Sequence, residues 1–278
     1  MASGTEIETG SFVSPRWVLC PPSSVKIVCW NINRGLQLPR VIEFLSRIQA
    51  DILLLQELDL NARRTNHLNI TREIAKQLQL NYVFGREFEE LTQGTRQSPA
   101  YHGQATLSRW PLSNQRILRF RQQSSFWHPR WFLPEIEPFQ ERLGGRLALI
   151  VEVCVAGTTI ITYNLHLESK GDDRLRKAQI EETLQDAHRY DSDTAVVLAG
   201  DLNMDVAGGD IAQVISRADF QDAFTNQRTP TTPNSFLADG RVIDWIFSRG
   251  PLRSLSAQVH RSAVGSDHYP LSAHLDLR

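Results

Sequence analysis

The stretch AVVLAGDLNM, residues 195–204, decides how this chain folds. Five apolar residues, Ala195 to Ala199, run directly into Gly200, Asp201, Leu202 and Asn203. A short run of this kind, bounded by glycine, reads as a buried strand. It finishes in a carboxylate and an amide one residue apart, and alternate side chains of a strand share a face. The end of a buried strand is where a rigid sheet can present reactive groups.

The same construction recurs on both sides of that stretch. Residues 25–29, VKIVC, lead into Trp30-Asn31-Ile32-Asn33, and residues 52–55, ILLL, lead into Gln56-Glu57. Ser266-Asp267-His268 stands just before a final strand over 271–276. Further strands are predicted over 82–84, 104–108, 147–155, 158–167, 242–248 and 255–260. Ala156-Gly157 is the turn of a hairpin. Helical periodicity marks 39–49, with Val41, Ile42, Leu45 and Ile48 on one face. It also marks 71–80, capped by Asn69 or Thr71, then 172–189 and 210–217. Such a mixture predicts two stacked sheets with helices outside them, because a simple doubly wound sheet would alternate more strictly. Residues 1–23, closing on Pro21-Pro22, read as a tail, and 24–278 as a single catalytic domain. Residues 119–145 read as a long loop, since Pro129, Pro134 and Pro138 deny them regular structure.

Bulk composition narrows the class. The chain has 278 residues, 41% hydrophobic and 22% charged, an ordinary globular balance. Its net charge of −1 provides no global field toward nucleic acid or anionic lipid, so a polyanion must be met by a local patch. Three cysteines, Cys20, Cys29 and Cys154, make neither a disulfide framework nor a metal-type spacing. The start is polar and acidic, unlike a secretory signal, and no apolar stretch approaches the ~18 residues of a membrane span. A cytoplasmic setting is the expectation.

The candidate chemistry is oxygen-rich. Glu57 after four apolar residues is a hard ligand for Mg²⁺ or Mn²⁺. Asn31 and Asn33 on one face suit orientation of a carboxylate or phosphate oxygen. Asp201 can position or deprotonate water, and Asn203 can donate to a phosphoryl oxygen as its charge grows. His268 is a titrating group, with Asp244 as its candidate orienter. His166 alternates with Asn164 and Glu168 against Leu165 and Leu167, which marks one face of that strand as wet or catalytic. Zinc does not suit this set, no Gly-x-Ser-x-Gly elbow is present, and neither a Walker loop nor a dinucleotide fingerprint occurs.

Seven motifs together carry a family resemblance: WNINRG (30–35), LLLQELD (53–59), ATLSRWPL (105–112), NLHLES (164–169), LAGDLNM (198–204), IDWIFSRG (243–250) and GSDHYPLSAHL (265–275). In that order the chain resembles the endonuclease/exonuclease/phosphatase superfamily of metal-dependent phosphoesterases. The resemblance implies a DNase I-like four-layer α/β/β/α sandwich. It implies Glu57 as principal Mg²⁺ ligand, helped by Asn31 and Asp267. It implies an Asp244–His268 dyad at the scissile phosphate, Asp201 and Asn203 aligning water and stabilising charge, and His166 on a phosphate oxygen. Asn33 stands where many nuclease members carry Asp, and Gln104 where Asn is frequent. The stretch around Asp244 departs from the inositol-phosphatase signature, and HLES followed by Arg174, Arg176 and Gln179 resembles the tyrosyl-DNA phosphodiesterase branch.

The expectation is therefore a monomeric, Mg²⁺-dependent phosphodiesterase acting on nucleic acid, with phosphatase or sphingomyelinase-like head-group hydrolysis as the alternative. Arg109, Arg116, Arg119, Arg121 and Arg130, with Phe126, Trp127 and Trp131, are the candidate surface for a single strand. In the lipid alternative Trp127, Trp131 and Phe132 would enter a bilayer interface, although a membrane partner is not favoured.

Overall fold

The structure is a computed structural model that describes residues 6–14, 22–127, 141–224, 229–234 and 239–277. In chain order its strands are β1 (Ile7–Ser11), β2 (Ser24–Arg34), β3 (Ile52–Leu60), β4 (Asn81–Glu90), β5 (Ala100–Ser108), β6 (Leu112–Arg119) and β7 (Arg142–Gly144). They continue with β8 (Leu147–Val155), β9 (Thr158–His166), β10 (Ala195–Asp201), β11 (Gln221–Asp222), β12 (Asp244–Arg249), β13 (Leu252–Val259) and β14 (Leu271–Leu277). The helices are α1 (Leu38–Ile48), α2 (Ile70–Leu78), α3 (Asp173–Ala187) and α4 (Gly209–Arg217). One sheet runs β1-β4-β5-β3-β2-β14-β13, with β7 added to β4, and the other runs β11-β12-β10-β9-β8-β6.

Strand alternation sorts side chains into three apolar layers. Val28, Trp30, Leu53 and Leu55 pack on Val41, Leu45, Ile70 and Ile74 of α1 and α2. Ile161, Tyr163, Val196 and Leu198 pack on Ile180, Leu184, Ile211 and Ile215 of α3 and α4. Between the sheets, Ile27, Ile52 and Leu54 meet Ile160, Val197 and Ile246. Helices on the two outer faces and sheets within make the four-layer α/β/β/α sandwich predicted from sequence. None of the helices among the described residues is long and apolar enough to cross a membrane.

The helix ends follow local chemistry. Asn69 caps α2 by accepting from the Arg72 N–H, and Asp172 caps α3 by accepting from Arg174 and Leu175. Ala156 and Gly157, at φ 49° and 95°, turn the β8–β9 hairpin as the primed turns require.

Three sequence expectations are corrected. Within the supposed tail, Ile7–Ser11 pairs antiparallel with β4, and Glu8 accepts from Tyr82 Oη at 3.0 Å and Asn69 Nδ2 at 2.7 Å. The segment is too short and polar to announce itself, and backbone pairing holds it. The strand that the apolar run 52–55 announces continues past Gln56 to Leu60 through a break in register between Leu55 and Leu58. The supposed loop at 119–145 begins on a strand ending at Arg119 and contains β7; its residues 128–140, with the three prolines, lie outside the described residues, as does Cys20.

Candidate active site

Neighbouring strands change character at one level of the inter-sheet layer. Read along their inward positions, β2 passes from Ile27 and Cys29 to Asn31, and β3 from Ile52 and Leu54 to Gln56. Likewise β9 passes from Ile160 to Asn164 and His166, and β10 from Val197 and Ala199 to Asp201. Register aligns the polar ends: Asn31 lies opposite Gln56, while Asp201 lies opposite His166 on one side and Asp244 on the other. Gly200 permits this close approach, because a Cβ there would sit 1.9 Å from the Leu165 carbonyl oxygen. The polar face of β9 is thus buried between the sheets, so of the two expectations, wet or catalytic, the wet one does not hold. Asn164 braces both sheets by donating to the carbonyls of Leu55 and Ala105 at 3.0 and 2.9 Å.

The one-apart spacing of the motifs has a common cause. The Asn31 side-chain oxygen accepts from the Asn33 N–H at 3.0 Å, and the Asp201 carboxylate from the Asn203 N–H at 2.9 Å. The Ser266 hydroxyl accepts from the His268 N–H at 3.1 Å. Each first residue therefore caps the backbone two positions on, a turn that Asn, Asp and Ser favour. Asn33 and Asn203 sit at positive φ, 44° and 52°, which asparagine tolerates. Asn33 leaves the extended path there, so strand alternation no longer places it beside Asn31. Glu57 is also left-handed, at φ 57°, inside the bulge of β3. A non-glycine residue held in that region is backbone strain of the kind found at functional sites.

Asp201 is the centre of the constellation. Its Oδ2 accepts from Asn31 Nδ2 at 3.1 Å and lies 3.7 Å from His268 Nε2 and 3.8 Å from His166 Nε2. Glu57 Oε1 lies 3.3 Å from Asn31 Nδ2 and 3.8 Å from His166 Nε2. His268 Nδ1 meets Asp244 Oδ2 at 2.9 Å, and the same oxygen accepts from the Thr231 hydroxyl at 2.6 Å. The structure thus brings Asn31, Glu57, His166, Asp201, Asp244 and His268 together. Asn203 turns its amide to the Leu167 carbonyl at 3.1 Å. Asp267 is exposed beside the Ser266 hydroxyl, outside the acid–imidazole clusters of the described residues. Arg241, near Asp244 in sequence, donates to the Asn203 carbonyl at 3.0 Å.

Electrostatics separate the two histidines. Burial opposes charge on His268, but Asp244 and Asp201 beside it outweigh burial and push its pKa up to about 10. Asp244, in turn, is pushed up by burial and by Asp201 and drawn down by His268, so the two groups share their proton as a pair. His166 Nδ1 lies 2.8 Å from Arg146 Nη1, and a guanidinium can only donate. That nitrogen is an acceptor, so the ring hydrogen is on Nε2, the atom facing Asp201 and Glu57. Glu57 itself is held well below the usual carboxylate range: burial raises its pKa, but His102, His166, Arg142 and Arg34 together lower it further.

Sequence reading missed Arg146, Glu87, His102 and Thr231. Arg146 is a buried cation bonded to Glu87 at 2.9 Å and Ser169 at 3.0 Å, with its guanidinium over the Phe88 and Trp127 rings. The only local signal is an arginine leading an apolar strand after Gly144-Gly145.

The proposed single-strand surface changes in its parts. Trp127 is buried against Phe88, its indole bonded to Glu168. Arg116 pairs with Asp186, Arg119 with Glu6, Arg109 with Asp51 and Arg121 with Glu182. Those arginines are held by four separate carboxylates, and Trp127 is enclosed, whereas Phe126 is exposed. Arg130, Trp131 and Phe132 lie outside the described residues.

A divalent cation suits the donor set. Glu57 is ionised, and on Oε1 it has only the long bond from Asn31. Three carboxylates converge in one buried end, a concentration of negative charge that a hard cation relieves. The Asn31 oxygen is engaged by Asn33, so its amide nitrogen, not its oxygen, faces the carboxylates.

A sequence model of the endonuclease/exonuclease/phosphatase family matches residues 28–268. The chain belongs to this family. Its members are hydrolytic phosphoesterases. Solved structures share the fold. An endonuclease/exonuclease/phosphatase from Beutenbergia cavernae DSM 12333 is 19% identical, with a TM-score of 0.68 over 92% of this chain and 72% of that one. A family protein from Bacteroides vulgatus is 17% identical, with a TM-score of 0.67 over 92% of this chain and all of that one, 100%. TDP2 from Caenorhabditis elegans is 20% identical, with a TM-score of 0.61 over 91% of this chain and 74% of that one. No curated protein matches the chain by sequence.

Proposed function

We propose that the chain is a Mg²⁺-dependent phosphodiesterase, also served by Mn²⁺, that hydrolyses nucleic acid by in-line attack of water. The observation that carries this reading is the position of Asp201 Oδ2, between two imidazole Nε2 atoms and beside Glu57. A cation held by Glu57 would polarise the phosphate and stabilise the leaving oxygen. The remaining work belongs to side chains. His268, locked to Asp244, presents a donor to a phosphate oxygen and is not a free base at neutral pH. Asp201 is then the group that aligns the attacking water and takes its proton. His166 donates from Nε2 to a second phosphate oxygen, and Asn31 holds both Glu57 and Asp201 in place. Asn203, whose amide spends one N–H on the Leu167 carbonyl, has a second to donate to a phosphoryl oxygen as its negative charge grows.

The test is the purified protein with Mg²⁺ against single-stranded DNA, abasic duplex, RNA, a 5′-tyrosyl adduct, a lysophospholipid and an inositol phosphate. The expected result is chelator-sensitive cleavage of a nucleic-acid diester, abolished by Glu57→Gln. Cleavage of none of them, or a rate indifferent to chelation, removes this reading. Turnover confined to the lysophospholipid or the inositol phosphate replaces the substrate class.

A further inference from the structure

Behind Glu57 lies a second web of buried charge that the reaction above does not use. Asp59 is bound by Arg64 through Nε and Nη2 at 2.7 and 2.8 Å, and Glu90 by Arg64 at 3.0 Å and Arg142 at 2.6 Å. These two arginines neutralise the two carboxylates, so the Asp59–Glu90–His102 cluster is closed to a cation. His102 completes it through Nδ1, 3.1 Å from Asp59 Oδ1. Its other nitrogen, Nε2, is buried without a hydrogen-bond partner on a residue that is 0% exposed. A buried polar atom left bare is costly unless something fills the place.

Donor atoms of Glu57, His102 and His166 lie within 4.8 Å of one another. Two donors each about 2.0–2.2 Å from one ion stand up to ~4.4 Å apart, so the Glu57 and His102 donors need to close by less than about 1 Å to grip a single cation. The two rings are not equivalent. Arg146 holds the lone pair of His166 Nδ1, which leaves a hydrogen on Nε2 and disqualifies that atom as a ligand. Asp59 accepts the Nδ1 hydrogen of His102, and the neutral ring in that tautomer offers the lone pair of Nε2. A carboxylate that fixes the far nitrogen of an imidazole is the usual support for a metal-ligating histidine.

We propose that His102, oriented by Asp59, contributes an imidazole nitrogen to the cation held by Glu57, making a mixed nitrogen–oxygen site to which the imidazole adds more affinity for Mn²⁺ than for Mg²⁺. Mg²⁺ prefers oxygen ligands in strict octahedral geometry, whereas transition ions accept imidazole. The inference rests on Glu57 as the metal ligand, and the test separates the two claims.

Mn²⁺ is the probe, read on the full chain by pulsed electron paramagnetic resonance, which detects ¹⁴N bound directly to the ion. Wild type shows imidazole ¹⁴N modulation; it persists in His166→Asn and disappears in His102→Gln. Titration with each ion alone shows His102→Gln losing at least the about 10-fold in Mn²⁺ affinity that a ligand's supporting partner is worth. Its Mg²⁺ affinity falls less. Absence of ¹⁴N modulation in the wild type, or modulation that survives His102→Gln, overturns the proposal and leaves Glu57 in place. Unchanged binding of both ions by Glu57→Gln overturns the Glu57 assignment and this proposal with it. The wild-type spectrum decides even if His102→Gln does not fold.

Discussion

At one end of the inter-sheet layer Ile27, Leu54, Ile160 and Val197 meet in an apolar cluster. Further along the same strands Asn31, Gln56, His166 and Asp201 meet instead, tied by hydrogen bonds and ringed by buried charge. The strands, register and burial are shared, so the contrast isolates side-chain chemistry. The apolar end gains by leaving water. The polar end holds like charges together and keeps Glu57 and Asn203 at positive φ, an arrangement that the surrounding sheets must maintain. Stability is concentrated at one end of the layer, and reactivity at the other.

The sharpest way to break this division is Asp201→Asn. The hydrolytic rate should fall by about 10² to 10⁴, the usual worth of an acid–base group. The melting temperature should hold or rise, because crowding with Asp244 and Glu57 is relieved. A large loss of stability in thermal unfolding would show that the polar end also holds the fold together. The reciprocal change is Leu54→Ala at the apolar end. Denaturant unfolding should show a loss of about 2 to 5 kcal/mol, with the rate per folded molecule kept. A comparable fall in that rate would show that the two ends are coupled.

A smaller effect comes from pH. Burial raises the pKa of Glu87, but Arg146, with His166, more than offsets it and brings the carboxyl from its ordinary 4.5 to about 2. A depressed folded-state value means the contribution is complete above about 4.5 and is lost as pH falls through about 2. Thermal unfolding across that window should show the loss in the wild type, and Glu87→Gln should flatten it. An unchanged acid slope in the variant would place the lability elsewhere. The smallest effect belongs to Arg121→Ala, outside both ends. Its partner Glu182 lies 3.4 Å away and the arginine side chain is 75% exposed, so stability should change by less than about 0.5 kcal/mol. Nucleic-acid affinity in a salt titration should not move either. A lower salt slope would restore the arginine to a substrate surface.

Reading the chain alone determined the layers and most of the converging residues, because apolar strands and helix periodicity are local patterns. AVVLAGDLNM and its counterparts carry both the strand and its polar end within ten residues, and the turn that joins them needs only a side chain two positions upstream. What the sequence did not show depends on distant partners. Nothing near Arg146 indicates that it would fix the tautomer of His166, and nothing near His102 indicates an unpartnered nitrogen. Trp127 was a candidate surface aromatic by sequence, and Phe88 and Glu168, far away in the chain, enclose it. The segment Ile7–Ser11 read as a tail because an edge strand is made by its neighbour's backbone, which local composition cannot record. Periodicity belongs to a segment, whereas ion pairing, tautomer and burial belong to pairs of segments. Only the tertiary structure brings those pairs together.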